Sequence, residues 1–262
     1  MSEKVLFTGI DVSNAGQGRI SDWSKVAKNV DFAILKISNG YQNQKNSADA
    51  QFNTNFSACQ EYGIPVGVYV YAYFTSVEKA RAAAQFAVKL LGGKSLDFPV
   101  FLDLEEGCIR NLGKTKILEL AKAFCEEIEK AGYQYGTYAN KDWFTNTLTD
   151  KWYDNYIKWV AQYSSRLTYN GDLDIWQYTS SGTVPGIKGR VDMNHCYTSF
   201  VKGDVNNDGK VTAADARKIL RVSAKLEVLS GQAAKNADID GDGDTDAADA
   251  RDALRIASGV KT

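Results

Sequence analysis

Asp103 and Glu105 stand two residues apart at the end of the apolar run Phe98-Pro99-Val100-Phe101-Leu102. Side chains on a strand alternate between its faces, so both carboxyls project to one face, with Cα atoms roughly 6.5 to 7 Å apart. That spacing lets them share a substrate. Two close carboxylates disfavour ionising together, so one pKa rises and that group stays protonated near pH 6. A neutral acid beside an ionised partner is what protonation of a glycosidic oxygen requires. Taken alone, Asp-x-Glu also fits a solvated strand end.

A second chemistry lies near the C-terminus, where a twelve-residue loop occurs twice. The first copy runs from Asp204 through Asn206, Asp208, Gly209 and Lys210 to Asp215, and the second from Asp238 through Asp240, Asp242, Gly243 and Asp244 to Asp249. Side-chain oxygens at positions 1, 3, 5 and 12 and the backbone carbonyl of position 7 (Lys210, Asp244) converge on a hard cation, and the glycine at position 6 permits the turn. Two calcium ions are implied. From Gly203 onward there are 9 basic and 11 acidic residues, so two bound ions would turn the tail from −2 to about +2 and couple folding to metal binding. Each loop runs into an apolar-periodic stretch: Ala216, Ile219, Leu220 and Val222, then Ala250, Leu254, Ile256 and Ala257. Each copy reads as a loop plus one helix, without the leading helix of an EF-hand. A calcium-stabilised structural tail or a calcium buffer is the plainer alternative.

Other chemistries are excluded. The single histidine, His195, rules out a multi-histidine zinc site and reads as structural; no Gly-x-Ser-x-Gly elbow or Walker loop is present. A net charge of −1 gives no footprint for nucleic acid, and no run of eighteen apolar residues is long enough to span a membrane. The Met-Ser-Glu-Lys start lacks the apolar segment of a secretory signal and reads as a mature or trimmed end. Cys59, Cys108, Cys125 and Cys196 show no metal-ligand spacing and read as buried free thiols, with Cys125 on the apolar side of a helix beside Leu118, Ala121 and Ile128.

The elements that must position the carboxyls alternate. Strand-length runs at 5–12, 32–37, 66–74, 98–104, 135–138, 157–161, 173–178 and 191–194 are interleaved with helical patterns at 23–27, 52–62, 77–91 and 114–131. Such alternation predicts a parallel sheet, and eight strands in about two hundred residues predict an α/β barrel of the TIM type with later helices short or absent. Chemistry in such barrels sits at the C-terminal strand ends. Those ends carry Asp11, Tyr71 and Tyr73, Asp103 and Glu105, Tyr138, Gln162, Trp176 and Asp192. Four carboxylates held in one mouth repel one another, which is a poor structural device and a good catalytic one. About half of the aromatics are expected simply to pack.

Two resemblances follow from these strings. Gly9-Ile10-Asp11-Val12-Ser13, Phe101-Leu102-Asp103-Leu104-Glu105, Trp159-Val160-Ala161-Gln162-Tyr163 and Trp176-Gln177-Tyr178-Thr179-Ser180-Ser181-Gly182, followed by Val191-Asp192-Met193-Asn194, resemble the family 25 glycoside hydrolases, the Chalaropsis-type lysozymes. The resemblance implies a modified TIM-type barrel over 1–200 that cleaves the β-1,4 bond between N-acetylmuramic acid and N-acetylglucosamine in peptidoglycan, with no catalytic cofactor. It implies Glu105 as general acid and Asp103 as its partner in a retaining mechanism. The nucleophile in that mechanism is either a carboxylate or the substrate's acetamido oxygen. Asp11 and Asp192 would take supporting roles, and Tyr71, Tyr73, Tyr138, Gln162 and Trp176 would contact substrate. Where many relatives carry an acid near the end of the second strand, this chain has Asn39. A non-catalytic wall-binding module and a chitinase on the same barrel are the alternatives.

The tail, with Asp at position 12 and the shared string Ala-Ala-Asp-Ala-Arg, resembles a dockerin, implying a small all-α domain over 203–262. It implies a secreted enzyme docked onto a cohesin module of a scaffold protein and otherwise monomeric. Cohesin contacts would fall on Ala213, Ala214, Leu220 and Arg221 in one unit and on Ala247, Ala248, Leu254 and Arg255 in the other.

Overall fold

Eight strands close into a barrel: β1 (Phe7–Val12), β2 (Phe32–Gly40), β3 (Val66–Ala72), β4 (Val100–Asp103), β5 (Tyr135–Asn140), β6 (Ile157–Ala161), β7 (Ile175–Gly182) and β8 (Val191–Cys196). This computed structural model describes residues 4–14 and 19–260; Met1 to Glu3 of the chain start and the last two residues of the tail lie outside them. Strands β1 to β7 pair in parallel, and β1 pairs with β2 in parallel. Closure comes from β8, which runs antiparallel to both β7 and β1.

That last strand corrects the expectation of a parallel sheet throughout. Residues 183–190 between β7 and β8 hold only a turn and the short strand Ile187–Lys188, whereas a parallel return needs a crossover of a dozen residues or more. The earlier connections do supply helices: α1 (Trp23–Val26), α2 (Phe52–Tyr62), α3 (Val77–Leu91), α4 (Gly107–Arg110), α5 (Lys114–Lys130) and α6 (Lys141–Asn146). Ser76 caps α3, its Oγ accepting from Lys79 N at 3.3 Å.

The strands bury both faces. Leu35, Ile37, Val68, Val70 and Leu102 pack outward against the small face of α3 (Ala80, Ala83, Ala84, Ala87) and the apolar face of α5 (Ile117, Leu120, Phe124, Ile128). Inside the barrel, Trp159 meets Phe101 at 5.2 Å and Tyr138 at 4.4 Å between ring centroids, and Phe32 stacks on Phe98 at 4.7 Å. Gly9 is required there, since a Cβ would lie 2.6 Å from the Phe32 ring. Truncating a ring so enclosed costs about 3–5 kcal/mol.

None of the four cysteines is paired in a disulfide, and Cys59, Cys125 and Cys196 are buried, but Cys108 is exposed. In the one-turn helix α4 the inward position belongs to Ile109, which leaves its neighbour outside.

The second compact unit comprises residues 4–6 and 197–260. Helices α7 (Ala213–Ser223) and α9 (Ala247–Ala257) pack on each other over Val205, Ala216, Ile219, Ala237, Ala250 and Ala253. Between them lies α8 (Gly231–Ala237), a short helix leading into the second loop that the loop-plus-one-helix expectation lacked. Its Asn236 is buried and donates through Nδ2 to the carbonyls of Ser199 (2.9 Å) and Asp204 (2.8 Å), which draws the segment after Tyr197 into this unit. No helix among the described residues is long and apolar enough to cross a membrane.

Candidate active site and calcium loops

Register brings the acids to one rim. Asp103, the last residue of β4, is opposite Tyr71 of β3 and Tyr138 of β5, and Asp11 of β1 is opposite Asp192 of β8. Asp192 had been expected at the C-terminal end of its strand. It lies instead near the start of β8, and the reversed direction of that strand carries it to the mouth.

Asp11 is buried, its Oδ2 accepting from Gln177 Nε2 and from Asn194 Nδ2, each at 2.8 Å. Asn194 Oδ1 in turn accepts from Trp159 Nε1 (2.8 Å), and Gln177 Oε1 accepts from Tyr138 OH (2.9 Å) and Tyr163 OH (3.1 Å). Burial, and next the charge of Asp192, push Asp11 up to about 8, against the pull of the two amide donors. The hydrogen bond between the two carboxyls raises Asp11 further.

Asp103 is buried at the mouth end of β4, and its Oδ1 has no hydrogen-bond partner. Burial raises its pKa well above the usual carboxylate range, Glu105 adds to the rise, and the Lys36 ammonium opposes it. Glu105 stands on the open rim; protein crowding about its carboxyl raises its pKa, with Tyr71 opposing through a hydrogen bond and Glu106 adding repulsion. Tyr71 OH also donates to Glu106 Oε1 at 2.9 Å, and its ring stacks on Tyr73 at 4.9 Å. An exposed carboxyl with a raised pKa, a buried carboxyl two residues before it and stacked tyrosines beside them suit glycosidic cleavage.

Two expected substrate contacts sit elsewhere. Trp176 is buried on the outer face of β7, its Nε1 donating to Gln162 O (2.8 Å) and its ring against Tyr178 and His195. Alternation is the reason: Gln177 points inward to Asp11, so its neighbour points outward. Gln162 spends its side chain on its own loop, donating to Ser164 Oγ and Arg166 O and accepting from Thr168 N. In their place the mouth holds Gln177, Asn194, Tyr163, Lys36 and Glu106. Stepping by two from Asp192 finds Asn194, and its register partner in β7 is Gln177.

In the tail, side-chain oxygens of Asp238, Asp240 and Asp242 lie within 4.8 Å of one another, which fits oxygen ligands around calcium at 2.3–2.6 Å. Gly209 and Gly243 have φ of 87° and 94°, the left-handed turn needed at position 6. Asp204 accepts from the N–H groups of Asn207, Asp208 and Gly209, shaping the first loop around its position 1. The position-12 acids are not free in the loops: Asp215 accepts from Val205 N, Asn206 N and Thr212 N, and Asp249 from Ile239 N, Asp240 N and Asp246 N. Both thereby close their loop and cap the following helix. Leu220 and Leu254 occupy matching exposed positions (51% and 52%), whereas Arg221 pairs with Glu227 and Arg255 with Asp252.

Comparison with known proteins agrees with both units. The family described as glycosyl hydrolases family 25 matches residues 10–187, and the type I dockerin domain matches 202–253. The chain is 32% identical to the uncharacterized protein YegX of Escherichia coli (strain K12) over 197 residues, covering 71% of this chain and 68% of YegX. It is 30% identical to Lysozyme M1 of Streptomyces globisporus over 207 residues, covering 71% and 66%. The solved structure of the modular autolysin LytC from Streptococcus pneumoniae, in complex with a synthetic peptidoglycan ligand, superposes with a TM-score of 0.63 at 27% identity. That likeness covers 72% of this chain and only 46% of LytC. With more than half of its length matched, this chain belongs to glycosyl hydrolase family 25, and it carries a type I dockerin domain behind the barrel.

Proposed function

We propose that the barrel is a muramidase, cleaving the β-1,4 bond between N-acetylmuramic acid and N-acetylglucosamine in peptidoglycan with retention of configuration. The observation that carries this reading is the pairing of Glu105, protonated longer than an ordinary glutamate, with a buried Asp103 whose Oδ1 is unspent. Glu105 gives its proton to the glycosidic oxygen as the bond to the anomeric carbon breaks. Asp103 accepts the N–H of the substrate's acetamido group, turning the acetamido oxygen onto the anomeric carbon, where it forms the new bond. Glu105, now ionised, takes a proton from the water that opens this intermediate. Asp11, held up to about 8, keeps the opposite wall from carrying two full negative charges.

The tail supports a tethering role: two calcium loops fold it, and its helices present the symmetric Leu220 and Leu254 to a cohesin of an extracellular scaffold. Supporting this reading are the type I dockerin match and the carboxylate cluster of the second loop. Reducing ends released from purified peptidoglycan and from chitin test the enzymatic part. The wild type cleaves peptidoglycan, and Glu105→Gln lowers that rate by about three orders of magnitude while the fold stays intact. A Glu105→Gln rate above about a tenth of wild type overturns the assignment, and cleavage of chitin alone overturns the substrate.

A further inference from the structure

Lys36 lies on β2 with its Cα opposite Tyr69, immediately before an irregularity in register with β3: Lys36 pairs with Tyr69, Ser38 with Val70 and Asn39 with Tyr71. Such a bulge re-aims side chains, and here it leaves both Lys36 and Asn39 in register with the inward-facing residues of β3. The Lys36 ammonium sits 4.6 Å from the centroid of Tyr71 and 5.9 Å from that of Tyr69. Among the described residues it has neither a hydrogen bond nor a carboxylate within ion-pair distance. Its charge is therefore unspent. The groups facing it are Asp103 and Glu105 from the end of β4 and Asp49 from the segment before α2. Asp49 is already committed to the N–H groups of Asn14 and Gln51.

The barrel thus handles its crowded acids in two ways. On the β1/β8 side, Asp11 has two amide donors and a hydrogen bond to Asp192. On the β4 side, Asp103 Oδ1 has no donor at all, and the nearby counter-charge is a lysine propped on tyrosine rings. Resting on the muramidase reading, we propose that Lys36 is a positioning residue, the counter-charge that draws Asp103 toward its ionised form against its burial, so that Asp103 can accept the substrate's acetamido N–H. Its lowering effect on the Asp103 carboxyl agrees with this, opposing burial and the charges of Glu105, Asp11 and Glu106.

The test is a ¹³C-carboxyl titration of Asp103 in the full, calcium-loaded chain, with the signal identified by its loss in Asp103→Asn. Lys36→Met raises the Asp103 midpoint by about one pH unit or more, a tenfold change in its ionisation. Lys36→Arg, which keeps the charge, leaves it within about 0.3 units. The acid limb of kcat/KM on peptidoglycan moves up with the midpoint in Lys36→Met and not in Lys36→Arg. If Lys36→Met does not fold, Lys36→Gln, neutral and polar, takes its place in the same titration. A folded neutral variant with an unmoved midpoint overturns the proposal, as does an arginine variant that shifts as far as the neutral one. The titration needs no turnover, so failure of the wild type to cleave peptidoglycan counts against the muramidase reading alone.

Discussion

Asp11 and Asp192 face each other across the antiparallel seam where the first and last strands close the barrel, and the two carboxyls share a hydrogen bond. A buried acid held up to about 8 carries a stability consequence whose sign is fixed. Below about pH 4 Asp11 is protonated in folded and unfolded chains alike. Between about pH 4 and pH 8 the unfolded chain loses this proton and the folded chain keeps it, so stability falls as pH rises through that window. The barrel is therefore expected to melt at lower temperature at pH 8 than at pH 5. All five tryptophans lie before Tyr197, so tryptophan fluorescence reports the barrel without the tail. Asp192→Asn removes the second cause of the shift and flattens the slope. A Tm that rises from pH 5 to pH 8, or a slope unchanged in Asp192→Asn, contradicts the pairing.

Tyr163 and Trp176 make an opposed pair of expectations. Tyr163 is 57% exposed with its hydroxyl on Gln177, so Tyr163→Ala raises KM by about tenfold, or about 1.4 kcal/mol, with little change in Tm. Trp176 is buried on the outer face, so Trp176→Phe lowers Tm and leaves KM within about a factor of two. Steady-state kinetics with thermal melts of both variants check this, and the reverse assignment of effects would show the mouth to be lined by the other ring.

Much of this barrel was legible in the chain. The helix over Val77–Leu91 and the strand over Ile157–Ala161 have the bounds that periodicity predicts. The direction of β8 was not legible, because Val-Asp-Met-Asn alternates identically whichever way the strand runs; only the short return from β7 decides it. Trp176 was misplaced because a large ring at a strand end suggests a binding surface, while parity gives that surface to the less conspicuous Gln177. Gln177 and Asn194 escape a search for titratable groups, having no charge, and yet both their amides donate to Asp11 Oδ2. Helix α8 lacks an apolar period, since Gly-Gln-Ala-Ala-Lys-Asn-Ala is held by the contacts of Asn236 more than by a buried stripe.

Calcium removal separates the two units. With the Asp238, Asp240 and Asp242 carboxylates left to repel one another, chelation unfolds α7, α8 and α9, seen as lost helical circular dichroism at unchanged tryptophan fluorescence. Turnover of peptidoglycan persists, since no acid of the mouth lies in the tail. Calorimetric titration is expected to count two calcium ions per chain, and a tail equally helical in chelator contradicts the coupling of folding to metal.

The central claim, cleavage on the reducing side of muramic acid by Glu105, is tested most directly by digesting purified peptidoglycan, reducing the products with borohydride and identifying the new chain ends by mass spectrometry. Muramitol is expected, formed by the wild type and missing with Glu105→Gln. Glucosaminitol as the only new end would contradict it.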